Sequence, residues 1–303
     1  MQEFSVLKHI FAANDRLDPR VLIGPGDDMA LVETQGRRLL AAVDQLIDGR
    51  HVNLATTPIE LVGRKAITRS LSDIAAMAGS PLAMLVAATL PPDFGEKRAN
   101  ALFDAMRETA AKYDCPLVGG DLAFHADASH PMVCSVTVLA EAGSNVPTRA
   151  GAKPGDRLYV TGRLGGSLEP NGLGRHLTFE PRITLALALA NHLGDRLHAM
   201  IDISDGLGRD ASHIAELSRV QIRLNAADLP CHNGCAWRRA ISDGEDYELF
   251  FAATGNVPDR LLDVKITCVG EVVSQSPVDP RLVIVRDGDH WHNAAEMGWQ
   301  HGG

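Results

Sequence analysis

Leu71-Ser72-Asp73-Ile74-Ala75-Ala76-Met77-Ala78-Gly79-Ser80-Pro81 (71–81) reads as the C-terminal end of a helix that stops abruptly. Ile67, Leu71 and Ile74 recur at helical spacing and give the segment a core-facing side. Gly79 and Pro81 are natural terminators. Upstream, Thr57 and Pro58 have the form of a helix start, with Thr57 as N-cap and Pro58 as the first residue. Asp73 thus lies near the end of a packed helix, an acid beside a small residue.

Reading outward, Arg38–Val43 (RLLAAV) is a short apolar run followed by Asp44, the pattern of a buried strand whose end faces a site. Downstream come a second helix over Glu96–Tyr113 and strands around Pro116–Val118 and Met132–Leu139. Arg149–Asp156 (RAGAKPGD) is rich in turn formers and leads into a new strand at Leu158–Val160, so the domain boundary is placed there, dividing 1–148 from 149–303. The second half again mixes helices (183–193, 207–217) with strands (220–224, 248–252, 266–269, 282–285). Without a strict βαβ rhythm, the expected class is α+β.

With 303 residues, 45% hydrophobic and 22% charged, the chain has the profile of a folded protein with room for two cores. The longest apolar runs fall short of a membrane span, and the N-terminus lacks signal-peptide features, so the expectation is a cytoplasmic protein with no membrane partner. A formal charge of −9 without a basic stripe argues against a nucleic-acid partner. Cys231 and Cys235 form the one close cysteine pair, a loose half-site that no second Cys or His pair completes.

The acids are not spread evenly. Gly24–Asp28, Ala42–Asp44, Leu71–Asp73, Val118–Asp121 and Ile201–Gly206 each place an aspartate beside glycine or a small residue at the end of an apolar run. One such segment alone is ordinary turn chemistry. Converging together without cations, their carboxylates would repel and raise one another's pKa values. Hard divalent cations resolve that conflict, and magnesium combines a few carboxylates with substrate phosphates. ATP with about four negative charges and a phosphate-monoester acceptor with about two would need such ions. Arg149, in the glycine-rich boundary loop, either grips a phosphate by forked hydrogen bonds or forms an interdomain ion pair. Walker, protein-kinase, Rossmann, zincin and nucleophile-elbow motifs are all missing, so an ATP enzyme here uses an unusual nucleotide fold.

The segments GPGDDMAL (24–31), DQLIDGRH (44–51), LSDIAAMAGSP (71–81), VGGD (118–121), RAGAKPGD (149–156), IDISDGL (201–207) and GEDYEL (244–249) run in an order that resembles the thiamine-monophosphate kinases. That family lies in the superfamily of aminoimidazole ribonucleotide synthetase. The resemblance implies the two-domain fold of that synthetase, with mixed sheets and helices packed on one face. It also implies ATP-dependent, direct phosphorylation of thiamine monophosphate, several Mg2+ ions, and a homodimer formed through the N-terminal domain. It makes the first domain the ATP- and Mg-binding and dimerisation domain, with the second completing the active site.

By matching position, the resemblance implies that Asp28, Asp44, Asp73, Asp121, Asp202 and Asp205 ligate metal, with Asp73, Asp121 and Asp205 at the chemistry. Asp27 is the secondary member of its pair. Gly120, Asp121, Arg149 and Ser204 would contact ATP. His51 and Glu245 would face the thiamine phosphate and Trp299 would stack on it. Read by residue type alone, His51 also suits a turn cap, Glu245 and Asp246 a strand's surface start, and Trp299 an anchor for the terminus. The chain departs from the family pattern before Asp44: Ala42 and Val43 stand where relatives carry a Ser-Thr pair that helps coordinate metal. Gln45 and the short 162–183 stretch also differ from the common form.

Overall fold

The first half of the chain builds a six-stranded sheet from β1 (Val21–Ile23), β2 (Ala30–Thr34), β3 (Arg37–Ile47), β4 (Ser80–Leu90), β5 (Leu117–Phe124) and β6 (Val133–Glu141), in the order β1-β2-β3-β6-β4-β5. The structure is a computed structural model that describes residues 18–24 and 26–299. Only β4 and β5 run parallel, and the crossover that parallel pairing requires is supplied by α2 (Glu96–Lys112). Along β6, Cys134, Val136, Val138 and Ala140 are buried while the alternate residues are half-exposed, so one face meets the helices and the other stays open.

The second half forms a larger sheet from β7 (Arg157–Thr161), β8 (Leu197–Asp202), β9 (Val220–Asn225), β10 (Leu249–Ala253), β12 (Val264–Ser274), β13 (Val283–Asp287) and β14 (His290–Asn293), in the order β14-β13-β9-β12-β7-β10-β8. The short β11 (Arg260–Leu261) pairs with β12. Three helices accompany it: α3 (Ile183–Leu193), α4 (Leu207–Ser218) and α5 (Trp237–Ser242).

Strand β10 shows how the halves join. Its sequence, LFFAA, is buried on both sides. Leu249, Phe251 and Ala253 belong to a core shared with α3 and the first sheet, while Phe250 and Ala252 belong to a second core under α4. Helix α1 (Ile59–Ala76) lies in the first of these cores, so even Lys65, Thr68, Ser70 and Ser72 are buried. Among the described residues, no helix is long and apolar enough to cross a membrane.

Three local expectations change. Thr57 is not the helix cap: the Pro58 carbonyl accepts the first helical bonds, from Leu61 N (3.0 Å) and Val62 N (3.1 Å), and the buried Thr57 hydroxyl has no hydrogen-bond partner among the described residues. Strand β3 continues past Val43 to Ile47, which places Asp44 inside a strand rather than at its end. The Val118–Asp121 segment likewise lies within β5. There the glycine serves close approach: a Cβ on Gly120 would sit 1.8 Å from the Val86 carbonyl oxygen of β4.

Candidate active site

Four residues of α1, Lys65, Arg69, Ser72 and Asp73, fall at i, i+4, i+7 and i+8 and so share one stripe of the helix. That stripe faces the end of β8. The Ser72 hydroxyl donates to Asp202 Oδ2 at 2.6 Å, tying the 71–73 acidic segment to the 201–206 segment. After Asp202 the chain turns sharply into α4. Ser204 N and Asp205 N both donate to Asp210 Oδ2 (3.0 and 3.1 Å), and Gly206 (φ +105°) passes so near Ser242 that a Cβ would meet its carbonyl oxygen at 2.9 Å.

The segment 244–249 clamps onto this turn. Glu245 N donates to the Ser204 carbonyl (2.7 Å) and Tyr247 N to the Ile203 carbonyl (2.8 Å). Glu245 (φ 61°) and Tyr247 (φ 50°) adopt left-handed backbone that non-glycine residues enter at a cost, a feature that clusters at functional sites. Asp246 and Glu248 are not surface acids. Asp246 accepts from Gly165 N (2.8 Å), and Glu248 accepts from the Thr161 hydroxyl (2.6 Å) and Arg182 Nε (2.7 Å), so both fasten the chain behind Glu245.

A cleft of about 600 Å³ opens over these elements. Asp44, His51, Asp73, Asp202, Ser204, Asp205, Glu245 and Trp299 all line it. At one end the carboxylates of Asp28, Asp73 and Asp202 each offer an oxygen within 4.8 Å of the others, the spacing of a group that can hold a cation. Burial, then the charges of Asp202, Asp44 and Asp28, push the Asp73 carboxyl well above the usual range. Burial and the Asp28 charge raise Asp202 to about 7. Arg149 offsets part of this charge, with Nε and Nη2 on Asp28 (3.1 and 2.6 Å) and its backbone N on Asp27 (3.1 Å). One guanidinium against several buried carboxylates leaves a net negative site that suits a hard divalent ion.

The other end is set up differently. His51 Nδ1 accepts from Ile47 N (2.9 Å), which leaves the ring proton on Nε2; burial holds the imidazole down at about 3, so it is a neutral donor. Trp299 is 53% exposed, its N donates to the Asp205 carbonyl (2.8 Å), and the Arg50 guanidinium lies 5.8 Å from its ring centre. Asp121 and Gly120 stand apart, on the exposed edge strand β5, outside both the cleft and the three-carboxylate group. Cys231 and Cys235 are free thiols.

Residues 26–142 match the family model described as AIR synthase related protein, N-terminal domain. The chain is similar to the thiamine-monophosphate kinase of Rhodopirellula baltica, 34% identical over 287 residues that cover 87% of each chain. It is also similar to that of Escherichia coli, 33% identical over 321 residues, covering 95% of this chain and 94% of the relative. The chain belongs to the thiamine-monophosphate kinase family. Its fold superposes on the solved AaThiL complexed with AMPPCP and TMP, with a TM-score of 0.80, 28% identity and coverage of 99% of this chain and 97% of that one.

In this member of the family, several site residues carried no signal in the sequence. Lys65 Nζ is fully buried and lies 2.6 Å from the His51 carbonyl, 2.7 Å from His176 Nδ1 and 2.8 Å from Glu245 Oε2. A lysine on an amphipathic helix ordinarily signals a solvated face. Arg69, Tyr247 and Asp210 were equally silent. Tyr247 is revealed by its stacking on Phe179 (centroids 3.9 Å apart), Arg69 by the cleft that the second half closes over α1, and Asp210 by the Ser204 and Asp205 amides that donate to it.

Proposed function

We propose that this chain transfers the γ-phosphoryl group of ATP to thiamine monophosphate, forming thiamine diphosphate and ADP by direct in-line transfer. The observation that carries the reading is one cleft with an anionic, cation-demanding end at Asp28, Asp73 and Asp202 and a distinct end at His51, Glu245 and Trp299. AaThiL, which shares this fold, was solved with AMPPCP and TMP.

Asp28, Asp73 and Asp202, with Asp205 beside them, are the residues for Mg2+, which when bound neutralises and polarises the donor phosphates. Arg149 and Ser204 approach the ATP phosphates, the first as a planar fork and the second through its hydroxyl at a helix-entry turn. Gly120 and Asp121 are assigned to the nucleotide by their family positions. At the acceptor end, the ionised Glu245 and the Trp299 ring complement the cationic thiazolium of thiamine, and His51 Nε2–H donates to the acceptor. Burial pushes the Glu245 carboxyl up, yet the Lys65 ammonium, which donates to Oε2 at 2.8 Å, outweighs it, and Glu245 is held at about 2.

The segment 1–148 is taken as the ATP- and Mg-binding and dimerisation domain and 149–303 as the domain that completes the site. Edge strand β5 presents Val118, Leu122 and Phe124, each at least 47% exposed, and an unpaired backbone edge, which favours a homodimer through the first sheet. The reaction is assigned to the cytoplasm, where ATP is supplied.

The test is to incubate the protein with ATP, Mg2+ and thiamine monophosphate and separate the thiamine phosphates chromatographically. Thiamine diphosphate appearing only with Mg2+ supports the reading, and unchanged thiamine monophosphate beside bound ATP refutes the acceptor. Trp299→Ala is expected to raise the KM for thiamine monophosphate about tenfold, the loss of one aromatic–cation contact, while the KM for ATP stays within about twofold. Equal changes in both KM values would remove Trp299 from the acceptor end.

Mg2+ should also stabilise the protein in a pH-dependent way. A carboxyl whose folded pKa lies above its ordinary 3.8 binds more protons when folded, so its contribution to stability falls as pH rises through the window between the two values. For Asp202 that window closes near 7, leaving the metal-free protein with repelling carboxylates at pH 8. Added Mg2+ is therefore expected to raise Tm more at pH 8 than at pH 5. An equal rise at both pH values would contradict the metal assignment.

A further inference from the structure

We infer that Arg69 holds the phosphate of the acceptor, donating from Nη2 to a phosphate-monoester oxygen and keeping the attacking oxygen turned toward the donor. The inference rests on the reading of the cleft as a phosphoryl-transfer site for thiamine monophosphate and names the side chain that grips the acceptor's anionic end.

The position follows from α1. Lys65, Arg69 and Asp73 are four residues apart on one stripe, and a helix rises about 1.5 Å per residue, so Arg69 stands about 6 Å along the axis from each of the others. Lys65 donates to Glu245 and to the His51 carbonyl (2.8 and 2.6 Å), which fixes it at the acceptor end. Asp73 belongs to the three-carboxylate group at the donor end. A phosphate whose parent molecule sits at the first and which attacks a nucleotide at the second must lie along the middle of that stripe. Arg69 lines the cleft there.

The side chain is anchored and yet incompletely used. Arg69 Nε donates to Asp44 Oδ2 at 2.5 Å and Nη1 to the Gln45 carbonyl at 2.7 Å, while Nη2 donates to no described residue and remains accessible from the cleft. The side chain is only 14% exposed, so the guanidinium is fixed against β3 before any ligand arrives, and a fork held in place loses little entropy on gripping a phosphate. An arginine keeps its proton, so its charge meets the roughly two negative charges of a phosphate monoester throughout the neutral range. The pairing leaves Asp44 as eligible for a metal as the Arg149 pairing leaves Asp28. The other arginines that line the cleft are placed differently. Arg239 is paired with Asp243 (2.9 Å) and half-exposed, Arg50 lies against the Trp299 ring, and neither is on the α1 stripe.

The experiment measures binding by isothermal titration calorimetry in protein saturated with AMPPCP and Mg2+, and compares thiamine monophosphate with thiamine, which lacks the phosphate. Arg69→Gln keeps an amide donor for Asp44. It is expected to weaken thiamine monophosphate about tenfold or more, the loss of one charge-assisted contact. Thiamine affinity, and AMPPCP affinity measured separately, are expected to stay within about twofold of wild type. An Arg69 that only supports the structure would weaken thiamine or AMPPCP as well, so a parallel loss overturns the inference. Thiamine monophosphate bound within about twofold of wild type overturns it too. Wild-type protein that binds AMPPCP but no thiamine monophosphate refutes the acceptor reading itself, and this inference with it. If Arg69→Gln fails to fold, Arg69→Lys decides. It keeps a cation beside Asp44, but one ammonium cannot fork between a carboxylate and a phosphate, so the same selective loss is expected, and unchanged affinity for thiamine monophosphate rejects the role.

Discussion

Asp73→Asn is expected to lower kcat by at least about 10²–10³-fold, the scale on which removal of one electrostatic element of a transition-state clamp acts. The fold should survive and, without metal, should melt no lower than the wild type. Asp73 is pushed well above the usual carboxyl range by burial and by Asp202, Asp44 and Asp28, so its ionised form burdens the metal-free protein. An amide of the same shape removes that repulsion. It also removes one of three oxygens that lie within ligand distance of one another. Steady-state kinetics beside thermal unfolding separate the two effects. Turnover within about threefold of wild type would take Asp73 out of the chemistry, while a collapse in Tm would make its role structural.

Lys65→Met is expected to cost about 3–5 kcal/mol of stability and to weaken the acceptor end of the cleft. Lys65 is 0% exposed, and burial draws its ammonium down to about 8 even though Glu245 works to keep it charged. Removing the ammonium leaves the half-buried Glu245 carboxylate without its cation, and breaking such a pair from one side costs more than the pair contributes. The thioether fills the space without donating to the His51 carbonyl, His176 or Glu245, which now converge on Lys65. KM for thiamine monophosphate should rise more than kcat falls, because Lys65 positions Glu245 and His51 and does not line the cleft itself. Urea unfolding and the two kinetic constants test this. Stability within about 0.5 kcal/mol of wild type with an unchanged KM would show the triad to be idle.

The division between what the sequence revealed and what it hid follows from the range of each interaction. Acid-bearing motifs were legible because glycine and small residues mark places where backbone passes close to backbone. At Gly206 and Ser242 that reading holds atom by atom. The same signal misled at Val118–Asp121, since a glycine needed for close approach inside a strand looks like one needed for a turn. Thr57 looked like a cap by residue type, but Pro58 supplies the accepting carbonyl. Lys65 and Arg69 were illegible for a different reason. Helix α1 is flanked by the first sheet and by elements more than a hundred residues downstream, so charged residues on its second face are buried by contacts that local periodicity cannot foresee. His176, on the 162–183 connection, meets Lys65 only through that packing.

The most direct measurement follows the label from γ-32P-ATP in the presence of thiamine monophosphate and Mg2+. Direct transfer, as proposed, requires one label to enter thiamine diphosphate for each ADP formed, with none on the protein and little as inorganic phosphate. Label released as inorganic phosphate, with thiamine monophosphate unchanged, would contradict the account and leave an ATPase on this fold.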